Sequence, residues 1–202
     1  TLAGSSAASD VYKRQTITDR LVALSRALIG RIRGGLAQVN VLVSMFFAGM
    51  NGSVVADTAT VGALVLPAMK KAGYPAAFSA AVTGVSSTIG GIIPPSIMMI
   101  VLANATEISI ASLFAAGIIP GILIGVVIMV INHYFAVKHN FERSDEPFSV
   151  RRAGKELYRS SFALLIPLVL VGSVMGGVAS VVEAGAITAL SLIHISEPTR
   201  LV

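Results

Sequence analysis

The chain contains no cysteine and no tryptophan, and only 12% of its 202 residues are charged. Without cysteine there can be no disulfide framework, no thiolate nucleophile and no cysteine-ligated metal. Without tryptophan, any anchors at a membrane surface must be Tyr, Lys and Arg. An ordinary soluble domain carries roughly 25% charged residues. Here hydrophobic residues make up 54% and the mean hydropathy is +0.83, which excludes a disordered or simple soluble chain. The formal charge of +5 raises the question of nucleic acid. The bases, however, fall in short clusters between long apolar runs, a pattern that orientation in a membrane explains better. No nucleic-acid partner is expected.

Both ends read as foreign sequence. Ser5 to Gln15, SSAASDVYKRQ, and Leu190 to Arg200, LSLIHISEPTR, resemble translations of the two transposase adapters of shotgun sequencing libraries. Residues 1–15 and 190–202 are therefore expected to be adapter-derived and non-native, and Thr16 to Ala189 to be a fragment of a longer protein. On that expectation His194 and Glu197 carry no chemistry.

Charge-free runs map the remainder, because a spanning helix needs about 20 mostly apolar residues. They cover Gly34 to Ala56, Thr58 to Met69, Ala72 to Thr106, Ile108 to Val137 and Ser160 to Val182. Basic clusters separate them: Arg20, Arg26, Arg31 and Arg33; Lys70 and Lys71; and a third from Lys138 to Arg159. If these clusters mark the cytoplasmic face, the run from 34 to 69 starts and ends inside and must be a hairpin. Asn51, Gly52 and Ser53 supply its turn. Its arms are short for full crossings, which favours a re-entrant hairpin with its tip at membrane depth.

The run from 72 to 106 holds Gly90, Gly91, Pro94, Pro95 and Ser96 in its interior. Pro95 has no amide proton to donate, and Pro94 disfavours helix at Ile93, so this crossing is predicted to break into two half-helices. Asn104, Thr106 and Glu107 would lie outside, and Ile108 to Val137 would return inward, with a kink at Pro120 and Gly121. The expected organisation is a first-repeat transport region over 16–138, a cytoplasmic loop over 139–159, and a crossing with the start of a second repeat over 160–189.

Irregular backbone at membrane depth is tolerated only inside protein or along a cavity, since each unsatisfied amide costs several kcal/mol. Half-helix ends there offer amide donors to anions and carbonyls to cations. Two such places occur, the hairpin tip and the break. Their candidate ion- and substrate-binding residues are Asn51, Gly52, Ser53, Asp57, Thr58, Ser87, Thr88, Gly90, Pro94, Pro95 and Ser96. Hydroxyls and carbonyls suit a hard cation such as sodium, and the two segments should approach each other. Asp57 stands out, because an acid near the bilayer centre is costly and usually functional. It either helps hold the ion or ties the hairpin structurally, and Pro94-Pro95 either shapes a site or merely kinks a helix. A short echo of Ser53-Val54-Val55 in Ser180-Val181-Val182 makes Glu183 a candidate for the second repeat. Met45, Met98 and Met99 read as packing residues and His133 as interfacial. The loop bases would meet anionic lipid.

The segments GRIRGGLAQVNVLVSMFFAGMNGSVVADTATVGALVLPAMKKAGY (Gly30 to Tyr74), AAVTGVSSTIGGIIPPSIMMIV (Ala80 to Val101), SLFAAGIIPGILIG (Ser112 to Gly125) and, more loosely, VVEAGAITA resemble the large membrane subunit, DctM-type, of tripartite ATP-independent periplasmic (TRAP) transporters. That resemblance implies an all-α polytopic membrane protein, the first half of an inverted-repeat transporter with a re-entrant hairpin and a broken helix. It implies multi-pass residence in the bacterial cytoplasmic (inner) membrane and sodium-coupled import of organic acids such as C4-dicarboxylates. It also implies a small membrane subunit and a periplasmic substrate-binding protein as partners. Sodium would be the coupling ion, with no other cofactor. Three positions depart from the family pattern. Asn51 and Val54 replace serines, Gly91 replaces a proline, and Val181-Val182 stands for Pro-Thr before Glu183. Two other classes remain beside transport: a small channel or membrane scaffold without coupling, and an intramembrane enzyme. The enzyme reading lacks a partner acid for Asp57 and is not expected.

Overall fold

The computed structural model describes residues 21–29, 32–141 and 149–186, all of them in helices and their connections. Residues 1–15 and 190–202, read above as adapter translation, lie outside the described residues, as does most of the loop after Phe141. A helix over 21–29, α1, precedes the hairpin; it buries Leu21, Leu24, Ser25 and Ile29, a helical spacing that the sequence reading passed over.

The hairpin is α2 (Gly35–Asn51) and α3 (Val54–Lys71). Gly52 stops α2 in the left-handed region at φ 58°, with its N–H on the Ala48 carbonyl, and Ser53 then caps α3 by accepting from the Ala56 amide at 3.4 Å. Lys70 and Lys71 close α3, where the helix dipole favours cations. The next run breaks in its interior. Helix α4 (Ala76–Ser87) tightens into a 3-10 turn over Thr88–Gly91, and α5 (Ile97–Thr106) restarts after the cis Pro94–Pro95 bond. Glu107 terminates α5, Ser109 caps α6 (Ile110–Lys138), and α6 continues as helix through Pro120 and Gly121.

Helix α7 (Val150–Met175) begins ten residues before the apolar run at Ser160, so the expected loop over 139–159 is shorter than drawn. Val150–Arg159 contains no proline and only one glycine, so nothing stops the helix from extending into the charged segment. A short helix over 181–186, α8, follows.

Helix α2 is the centre of the packing. Val39, Val41, Val43 and Phe47 are buried with Val61, Val65 and Met69 of α3, Val82 of α4 and Ile128 of α6. A smaller core joins Phe114, Val174 and Ala184, tying α6, α7 and α8 together. At the lysine-bearing end, Tyr74, Phe78, Phe135 and Phe141 form a ring cluster with centroids as close as 4.7 Å, and Arg33 donates to Asn140 Oδ1 at 2.9 Å. Among the described residues, α6 is the helix long and apolar enough to cross a membrane by length and composition. Its outer face exposes Ile119, Leu123, Val126 and Val130.

Candidate functional site

The hairpin tip and the break meet. The Ile97 amide donates to the Gly52 carbonyl at 3.1 Å, and a Cβ placed on Gly52 would collide with the Pro95 carbonyl. Gly90 lies against the tip from the other side: a Cβ there would sit 3.7 Å from the Ser53 carbonyl and 3.8 Å from Asp57 Cβ. Gly52 thus allows the backbones to approach where a side chain would hold them apart, while Gly90 packs at ordinary contact distance. Ser96 braces the break, donating its hydroxyl to the Gly91 carbonyl at 2.8 Å and accepting from the Met99 amide at 3.4 Å. Pro94 is buried, with its carbonyl 4.0 Å from the position of a Cβ on Gly49.

Asp57, in the first turn of α3, is fully buried behind this junction. The hydroxyls of Ser87 and Ser44 face its carboxylate without completing a hydrogen bond, and neither carboxylate oxygen has a partner. The Ser87 hydroxyl is also unpartnered. A buried acid in this state is expensive, and the arrangement collects oxygen atoms with lone pairs to spare. Such a cluster has the chemistry to accept a hard cation or a proton.

The predicted residues thus divide into groups. Gly52, Ser53, Asp57, Ser87, Gly90, Pro94, Pro95 and Ser96 are brought together at the junction. Asn51, Thr58 and Thr88 are exposed instead. Thr58 and Thr88 each donate to a carbonyl of their own helix, Val54 at 2.8 Å and Val85 at 2.7 Å. Glu183 is remote from the tip in sequence and closes a capping box: the Ser180 amide and hydroxyl donate to its carboxylate at 2.8 Å, while its own amide donates to the Ser180 hydroxyl at 3.3 Å. Ser180 and Ser53 are therefore equivalent as helix caps. The acids are not equivalent, since Glu183 stands three residues after its serine and folds back on it, whereas Asp57 stands four after and points inward.

Sequence reasoning missed the polar file behind Asp57. Asn40 Nδ2 donates to Thr83 Oγ1 at 2.7 Å, and Ser44 and Ser86 hydroxyls lie 3.1 Å apart, all four side chains buried between α2 and α4. Its signal was available: Asn40 and Ser44 are four apart and Thr83 and Ser86 three apart, so each pair shares a helix face. The four-residue interval of Gly117, Gly121 and Gly125 on α6 was also passed over, Gly121 having been read only as part of a kink.

A hairpin and a broken helix abutting tip to tip, beside a helix of membrane-crossing length, fit the all-α membrane proteins of the transport class. Residues 7–198 match the family described as "Tripartite ATP-independent periplasmic transporter, DctM component", and the chain belongs to that family. The match reaches into both terminal segments read as adapter translation. Over 174 residues the chain is 37% identical to the sialic acid TRAP transporter permease protein SiaT of Haemophilus influenzae, covering 86% of this chain and 28% of that protein. Over 174 residues it is 36% identical to the C4-dicarboxylate TRAP transporter large permease protein DctM of Pseudomonas aeruginosa, covering 86% and 40%. It is 33% identical over 189 residues to the 2,3-diketo-L-gulonate TRAP transporter large permease protein YiaN of Escherichia coli, covering 94% and 44%. The chain spans less than half the length of these relatives, each of which is named as a TRAP transporter permease protein.

Proposed function

We propose that this chain is the first-repeat portion of a sodium-coupled importer of small organic acids in the bacterial inner membrane. It would work with a small membrane subunit and a periplasmic substrate-binding protein, with α2 and α3 forming a re-entrant hairpin. The observation that carries the reading is the junction of Gly52 with Pro95 and Ile97, backed by the unpartnered carboxylate of Asp57. A dehydrated sodium ion needs oxygens from several directions, and two opposed backbone breaks offer them where a continuous helix cannot. The substrates printed in the relatives' names, among them sialic acid, C4-dicarboxylate and 2,3-diketo-L-gulonate, are organic acids, which supports the same class here.

The test is uptake by the complete permease carrying this segment, reconstituted in proteoliposomes with its small subunit and binding protein. Radiolabelled C4-dicarboxylate and sialic acid are the first substrates to offer. Accumulation should require an inward sodium gradient and should lose its dependence on sodium concentration in Asp57→Asn. Uptake that is indifferent to replacing sodium with potassium would defeat the coupling and favour a channel.

A further inference from the structure

The break is held on two faces. The hairpin tip holds one, through Gly52, and α6 holds the other. Gly117, Gly121 and Gly125 recur every four residues on the buried face of α6. A Cβ on Gly117 would press on the Ile92 carbonyl and the end of Met99, and one on Gly121 would collide with Ile93 Cγ1. One on Gly125 would instead meet Met45, 2.6 Å from its sulfur, away from the break. Ile92 and Ile93 are the two residues between the 3-10 turn and Pro94, and both donate their amides to the Ile89 carbonyl at 2.9 Å. Where Ile93 sits therefore fixes where the carbonyls of 91–95 point.

We infer that Gly121, assisted by Gly117, is a positioning residue for the ion site: the notch it leaves on α6 seats Ile93 and so sets the distance of the break from the hairpin tip. The inference rests on the sodium reading above. A ligand set must be held to within a fraction of an ångström, and its precision comes from the residues behind it. The α6 seat supplies that backing without touching the ion. Its partner on the opposite face is Gly52, so the break is clamped between two places where only a glycine fits.

The experiment uses the complete permease carrying this segment, in lipid nanodiscs with its small subunit, and follows thermal unfolding against sodium, with potassium replacing it at constant ionic strength. The sodium half-saturation is read separately from the sodium-free midpoint, which any packing defect would lower. Gly121→Ala should weaken half-saturation by about tenfold, the low end of what is lost when a residue that orients ion ligands from behind is changed. Combining it with Ile93→Ala, which empties the space the new methyl needs, should return half-saturation close to wild type. Gly125→Ala, packed on the flexible Met45 side chain, should alter the midpoint alone. An unchanged half-saturation in Gly121→Ala overturns the positioning role and leaves the sodium reading standing. A wild type that responds equally to sodium and potassium overturns both. Should Gly121→Ala not fold, Ile93→Ala alone decides, since an empty seat must also weaken sodium binding; an unchanged value there overturns the inference.

Discussion

The amide of Ile97 donates to the carbonyl of Gly52 across 3.1 Å, joining the first turn of one half-helix to the tip of a hairpin that precedes it in the chain. This one bond satisfies an amide at the start of α5 and a carbonyl in the hairpin turn, two groups that the ends of their own helices leave without a backbone partner. The tip and the break each complete the other.

Gly52→Ala should therefore be among the most damaging single-methyl changes in the chain. The residue stands at φ 58°, and its Cβ would collide with the Pro95 carbonyl. The left-handed backbone alone costs an alanine roughly 1–2 kcal/mol, and displacement of the break adds to it. Hydrogen exchange in nanodiscs should show lost protection at 88–97 as well as at the tip. Loss confined to 50–54 would mean that the two segments are independent.

Asn40 and Thr83 offer a test of the polar file. Thr83→Val leaves the buried Asn40 amide without its 2.7 Å acceptor and should cost about 1–3 kcal/mol. Replacing both, Asn40→Leu with Thr83→Val, should cost less than the sum of the single changes. Chemical unfolding of the four proteins in one detergent gives the coupling, and strict additivity would deny it.

Asp57→Asn should act with opposite signs in two salts. In potassium the variant should be more stable than wild type, because a buried carboxylate without a partner is replaced by a neutral amide. In sodium the order should narrow or reverse, because a ligand at 100 times its dissociation constant stabilises by about 2.7 kcal/mol and the variant forfeits that. Thermal unfolding midpoints in the two salts provide the comparison. Equal shifts for both proteins would make Asp57 a structural tie.

Glu183 provides a pH test. The Ser180 amide and hydroxyl hold its carboxyl below the usual glutamate range. With the folded value depressed, the cap's contribution is fully present above the unfolded value of about 4.3. It is lost as pH falls through the lowered folded value. Carbon chemical shifts of selectively labelled Ala184 and Ala186 should lose helical character through that window in wild type. In Glu183→Gln they should be weakly helical and flat with pH.

The sequence by itself determined where the hairpin turns and where the next run breaks. A charge-free run interrupted by Asn51-Gly52-Ser53 has to turn, because glycine alone adopts the left-handed backbone cheaply there and serine caps the second arm. A run interrupted by Pro94-Pro95 has to break, because the amide that would continue the helix does not exist. These are local consequences of covalent structure, and they place the tip and the break without reference to the rest of the fold. The start of α7 was misjudged for a related reason: apolarity marked where a helix could be buried, while Val150 to Arg159 needs only the absence of breakers to be helical. What tertiary structure alone decided is which of the polar residues face one another. Thr58 and Asp57 are neighbours in sequence, yet one hydroxyl is turned to its own helix at the surface and the other side chain is enclosed between Ser44 and Ser87. That outcome depends on how α3 is rotated against α2 and α4, which is set by side-chain volume and by close approach at Gly52 and the notches of α6. Packing of this kind is a property of several distant residues at once, and no local pattern in the chain encodes it.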